Sequence, residues 1–135
     1  MTVYYKPATQ KASSCPGGCV LGIVGSRILA GRADADELIR REFEIHRPRW
    51  FVSGGADGID KMAETEADSR GYRERKTIHL PEQRSWEYYK KRDKLIAQDS
   101  ECLVCISGLL SRTQGAAWTA SEAERLGKRV TRYGI

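Results

Sequence analysis

No stretch of this chain is apolar for long enough to span a membrane, and its first twenty residues, with Lys6 and Lys11, lack the continuous apolar segment of about 7–15 residues that a secretory signal needs. A cytoplasmic protein with no membrane partner is expected. Histidine is scarce: only His46 and His79 occur, neither beside a nucleophile pattern, so neither is assigned a catalytic role. The P-loop, the G-x-G-x-x-G spacing, the serine elbow and a carboxylate pair at a suggestive spacing are all missing. No catalytic residue and no cofactor follow from motifs alone.

A block of one charge is missing too. The 23 Lys and Arg give a net charge of +5, but 18 Asp and Glu are interleaved with them. Only two stretches are locally basic: Arg73, Arg75, Lys76 and His79, then Lys90, Lys91, Arg92 and Lys94. Solvated faces explain such runs more often than nucleic-acid contact does. The four cysteines fall in two pairs, Cys15 with Cys19 and Cys102 with Cys105. The second pair lies in a strand-like run, where residues three apart face opposite sides and do not chelate one ion together. Cys102 and Cys105 are therefore read as small buried hydrophobes, the tail pair as flexible thiols, and no metal site is expected.

What is present suits one domain: 135 residues, 40% apolar. Residues 1–18 read as a flexible N-terminal extension and residues 19–135 as the domain. Val20-Leu21-Gly22-Ile23-Val24 is apolar throughout, as a strand buried on both faces must be. A helix is predicted over Asp34–His46, a strand at Trp50-Phe51-Val52, and a second helix on which Ile59, Met62, Ala63 and Ala67 repeat at helical spacing. A strand within Tyr72–Leu80, a helix over Ser85–Gln98, a strand over Glu101–Ser107, a helix over Ala116–Leu126 and a last strand over Arg129–Tyr133 complete the alternation. The expected fold class is α/β: a single Rossmann-like three-layer domain whose five-stranded parallel sheet has the order 3-2-1-4-5.

Ligands of such sheets bind beyond the carboxyl ends of the strands, where strand order reverses. The unusual residues gather there. Phe51-Val52-Ser53-Gly54-Gly55-Ala56-Asp57-Gly58-Ile59-Asp60 runs from strand through a glycine turn into a helix, a junction that turns N–H groups and a positive dipole end toward an anion. Gly25, Ser26 and Arg27 follow the first strand, Ser107 and Gly108 follow the fourth, and Gly115 precedes the last helix. Arg27 offers a fork for phosphate or carboxylate, and Ser26 and Ser53 offer hydroxyls. Asp57 caps the second helix or contacts ligand. Asp60 bonds either loop N–H groups or a ribose hydroxyl. Asp93 falls on the apolar stripe of its helix and needs a partner, with Arg92, Arg27 or a loop amide in reach. Trp86, Tyr88 and Trp118 either stack on a base or belong to the core.

Gly25-Ser26-Arg27, the Ser53–Asp60 run, Arg92-Asp93 and the Ser111–Thr119 loop, in that order, resemble the SLOG superfamily, most closely its YspA/YpsA-related branch. The likeness covers roughly residues 20–133. It implies a Rossmann-like fold in which Gly54, Gly55 and Gly58 hold phosphate, Gly25 to Arg27 line the pocket, and Arg92 with Asp93 borders it; it also implies a homodimer. The family includes the DNA-processing protein DprA, the LOG phosphoribohydrolases and sensor domains for nucleotide-derived signals. LOG enzymes carry Pro-Gly-Gly-x-Gly-Thr-x-x-Glu before the last helix, whose acid serves cleavage. Here the stretch is Ser111-Arg112-Thr113-Gln114-Gly115-Ala116-Ala117-Trp118-Thr119, with Thr119 in the place of the glutamate.

The leading expectation is a noncatalytic binder of a phosphorylated, nucleotide-derived small molecule, with Gly25, Ser26, Arg27, Ser53, Gly54, Gly55, Ala56, Asp57, Gly58, Asp60, Arg92, Asp93, Ser107, Gly108 and Gly115 around it. The alternatives are a nucleoside 5'-monophosphate phosphoribohydrolase using Asp60 or Asp93, and a DprA-like binder of single-stranded DNA.

Overall fold

The computed structural model describes residues 18–109 and 114–135, together with the backbone of residues 4–7. Cys15 and the Ser111 to Thr113 part of the loop compared above lie outside the described residues. In chain order the elements are β1 (Tyr4–Pro7), β2 (Val20–Gly25), a 3-10 turn (Arg27–Leu29), α1 (Ala33–His46), β3 (Trp50–Ser53), α2 (Ile59–Ser69), β4 (Lys76–Ile78), α3 (Trp86–Asp99), β5 (Cys102–Ser107), α4 (Gln114–Arg125) and β6 (Arg129–Gly134).

Strands β4, β3, β2, β5 and β6 lie side by side and all parallel, which is the expected 3-2-1-4-5 order. Register places Leu21 between Phe51 and Cys102. A sixth strand was not anticipated: β1 pairs antiparallel with β6, so Tyr4–Pro7, inside the stretch read as an extension, caps that edge of the sheet. No apolar periodicity marks it, because four residues on an edge need only backbone pairing.

Alternation along the strands builds two cores. Leu21 and Ile23 of β2 and Cys102, Val104 and Ile106 of β5 face α1 and α2, joined by Phe43, Phe51 and Ile59. Val24, Leu103 and Cys105 face the other side, against Ile96 and Ala97 of α3 and the small residues Ala116, Ala120 and Ala123 of α4. Cys102 and Cys105 thus sit on opposite faces, as strand geometry requires. Each fully buried Leu, Ile or Phe contributes about 1.5–3 kcal/mol of transfer free energy. The helix predicted over Ala116–Leu126 ends one residue before Leu126. Leu126 lies past the end of α4 and is 38% exposed, since the helix closes at Arg125 and the chain turns at Gly127 with φ +78°.

Two helix starts follow from local chemistry, whereas α2 has Gly58 at its cap position and no side-chain cap, so Asp57 does not cap it. Asp34 and Asp36 lie in the first turn of α1, where the dipole favours them, and Arg32 grips Asp34 at 2.6 Å. Ser85 caps α3 by accepting from Tyr88 N at 3.5 Å. Among the described residues, no helix is long and apolar enough to cross a membrane.

Candidate functional site

Crossovers of one hand leave the loops after β2, β3 and β5 at the same end of the sheet, beside the start of α4. Two adjoining basins open there. One, of roughly 500 Å3, is walled by Val24, Ile28, Trp86, Tyr89, Ala116 and Thr119, with Asp60, Arg92, Asp93 and Gly115 at its floor. The other, of roughly 510 Å3, is formed by Gly54, Gly55, Ala56 and Asp57 opposite the Leu80 to Arg84 loop. Arg27, Ala56, Tyr89 and Arg92 line both.

Asp60, one residue into α2, is 4% exposed and spans two loops: Oδ1 accepts from Gly25 N and Oδ2 from Ala56 N, each at 3.3 Å. Of the two roles open to it in the sequence, it takes the loop N–H bonds. Its own carboxylate therefore occupies part of the anion position at the helix start. Burial pushes its carboxyl up to about 7, against the pull of Arg92 and of the two N–H groups.

The other turn residues divide into builders and lining. Ser53 Oγ donates to Ile23 O at 2.6 Å, and Ser26 Oγ accepts from Gly108 N at 3.2 Å, so both buried hydroxyls bind protein backbone. Gly58, at φ +84°, presses its α-carbon against the backbone of Ser26 and Arg27; a Cβ there would lie 2.5 Å from Arg27 Cα. It locks two loops together rather than opening a cradle. Gly25, Gly54, Gly55, Ala56 and Asp57 line the basins, as do Arg27, Asp60, Arg92, Asp93 and Gly115. Ser26, Ser53, Gly58, Ser107 and Gly108 do not. The N–H groups of Gly55, Asp57 and Gly58 have no hydrogen-bond partner among the described residues.

Arg92 is buried and ties the floor together. Nε donates to Asp93 Oδ1 at 2.5 Å and Nη1 to Gly54 O at 2.6 Å. A Cβ on Gly54 would fall 2.6 Å from that Nη1, so only glycine lets the turn rest on the guanidinium. Asp93, 3% exposed, keeps Oδ2 without a hydrogen-bond partner. Burial raises its carboxyl pKa, opposed by Arg92 and by the nearby Thr119 hydroxyl. That hydroxyl donates to Gly115 O at 2.8 Å, which leaves Oδ2 as an orphaned, buried acceptor beside Gly115, on a residue that lines the first basin.

Arg27 is exposed and has no carboxylate partner among the described residues. Trp86, 40% exposed, meets Trp118 edge to face with ring centroids 6.5 Å apart, and Lys90 lies over its ring. Trp86 and Tyr89 face the first basin, whereas Tyr88 carries Lys91 over its ring.

The basic runs resolve into paired or solvated faces. Lys76 binds Glu64 and Asp68, each at 2.8 Å, Lys90 meets Glu87 at 3.3 Å, Arg75 stacks on Tyr72, and Arg92 points inward. Sequence reasoning missed the meeting of Asp60 and Asp93 across one arginine. They are 33 positions apart on α2 and α3, and no local spacing signals them. It also missed the Leu80 to Arg84 wall, which carries no motif.

Compared with known proteins, the chain matches no family model, no curated protein and no solved structure.

Proposed function

We propose that this protein binds a phosphorylated, nucleotide-derived small molecule across the two basins, acting as a sensor or a sequestering module of SLOG type. The observation that carries the reading is the division of chemistry between two basins that share Arg27 and Arg92. The glycine-turn basin offers unpaired N–H groups, with Arg27 and Arg84 beside them, which suits phosphate oxygens. The aromatic basin offers Trp86 and Tyr89 for a base, and Asp93 Oδ2 as acceptor for a ribose hydroxyl or an exocyclic amine.

Thermal unfolding against nucleoside monophosphates, ADP-ribose derivatives, cyclic dinucleotides and short single-stranded DNA tests it. A ligand at 100 times its Kd adds about 2.7 kcal/mol, a shift of several degrees. Absence of any shift from the whole panel overturns the reading. A shift from DNA alone, falling steeply with salt, replaces it with the nucleic-acid alternative.

A second reading, N-glycoside hydrolysis, draws on one feature. Asp93 stands beside Thr119, the position of the catalytic glutamate in the resembled LOG enzymes, and its carboxyl, with one oxygen unpartnered and its pKa raised by burial, has the character of a general acid. Chromatography of each stabilising ligand after incubation separates the two. Intact ligand supports binding alone; free base plus sugar phosphate, lost in Asp93→Asn, supports the hydrolase. The homodimer implied by the resemblance is proposed with the family, and light scattering of the free chain tests it.

A further inference from the structure

The opposite pole of the sheet gathers a second set of chemistry-bearing side chains. Cys19 stands just before β2, Cys102 opens β5 and His46 closes α1. All three are buried, and their ligand atoms, two Sγ and one imidazole nitrogen, lie within 4.8 Å of one another. Cys102 is thus grouped in space with Cys19 and His46, not with Cys105, its neighbour in sequence. Parallel pairing of β2 with β5 brings residue 19 to residue 102, and the return of α1 to the amino end of β3 delivers His46.

The imidazole is held from behind. His46 Nε2 lies 3.5 Å from Glu42 Oε2, one helical turn earlier, and the other oxygen of Glu42 accepts from Tyr133 OH at 2.8 Å. Glu42 is 2% exposed and Tyr133 3%. A carboxylate behind an imidazole is the arrangement that fixes a metal-binding histidine, and it assigns Nδ1 to the ion.

We propose that Cys19, Cys102 and His46 form a site for a borderline divalent cation of the zinc class, pinning the start of β2, the end of α1 and the start of β5. Tetrahedral coordination with Zn–S near 2.3 Å and Zn–N near 2.0–2.1 Å separates ligand atoms by about 3.5–3.8 Å, so the two sulfurs, bonded to each other in this structure, part to that distance once reduced. Two sulfurs and an imidazole favour zinc over the oxygen-seeking magnesium and calcium. A groove of roughly 290 Å3, lined by both cysteines with Glu101 and Lys128, provides entry.

Cys19 and Cys102 are half-cystines in this structure, and Cys105 is a free thiol. Metal binding uses the reduced state. A dithiol gives two electrons and two protons to a disulfide, yielding two thiols and its own cyclic disulfide, and the cation then displaces the thiol protons. A metal uses both sulfurs together with the buried imidazole that Glu42 backs.

The test is the metal content of the full chain purified and held under dithiothreitol, measured by mass spectrometry, with cobalt(II) as a second probe. The expected result is about one zinc per chain, displaced by cobalt with thiolate-to-metal charge-transfer absorption and the intense visible bands of a tetrahedral ion. Cys105→Ser keeps both signals; Cys102→Ser and His46→Gln lose them. A reduced wild-type chain that is folded by circular dichroism and takes up neither zinc nor cobalt overturns the proposal without any variant. So does loss of binding in Cys105→Ser equal to that in Cys102→Ser.

Discussion

Arg92 Nη1 donates to the carbonyl of Gly54 at 2.6 Å, across 38 positions of sequence. One side chain on α3 thereby sets the height of the glycine turn, while its Nε holds Asp93 and its charge faces Asp60. The floor of the cavity is a single electrostatic unit of two buried acids and one arginine.

Removing that arginine leaves the acids uncompensated. Arg92→Ala is expected to cost about 3–5 kcal/mol at pH 8. The double variant Arg92→Ala/Asp93→Asn recovers part of the loss, because one stranded charge is gone. Urea midpoints of the three proteins check this; additive costs would show that Arg92 and Asp93 are not coupled.

Asp60 gives stability a definite pH slope. Its native carboxyl, near 7, lies above the ordinary value of 3.8, so the folded state holds the proton more tightly. Its contribution is full below about pH 4 and is lost as pH rises through about 7. Between those limits wild type should lose up to about 4 kcal/mol more than Asp60→Asn does. Denaturant unfolding of both proteins at stepped pH measures the difference, and parallel curves would refute a raised Asp60.

Gly115 separates stability from binding. Its added Cβ would meet Asp93 Oδ2 at 3.5 Å, an ordinary contact, in the first turn of α4. Gly115→Ala should raise stability by up to about 1 kcal/mol through helix propensity. The methyl also narrows the floor beside Asp93, so ligand-induced thermal shifts should shrink. An unchanged shift would place the ligand away from this wall.

Arg27 tests the phosphate arm. Exposed and without an ion-pair partner among the described residues, it should change to Ala at a stability cost within about 0.5 kcal/mol. A charge-assisted bond to phosphate is worth about 1.5–3 kcal/mol, so affinity should fall roughly 10- to 150-fold. Isothermal titration with the best ligand of the panel reads it; equal affinity would move the phosphate elsewhere.

The sequence by itself determined the five parallel strands, their order and the end of the sheet where the loops converge. Apolar runs such as Val20 to Val24 and the alternation of strand with helix are local patterns that hydrophobic burial and crossover handedness convert into topology. It also marked Arg27, the Gly54 to Asp57 turn, Asp60 and Asp93. Only the tertiary structure decided their roles. Asp60 binds Gly25 and Ala56 N–H rather than facing outward, and Gly58 clamps two loops together. Asp93 keeps one oxygen without a partner, and Cys19 lies beside Cys102 and His46. These pairings join residues dozens of positions apart. They depend on register and loop height, and no local period in the chain encodes either.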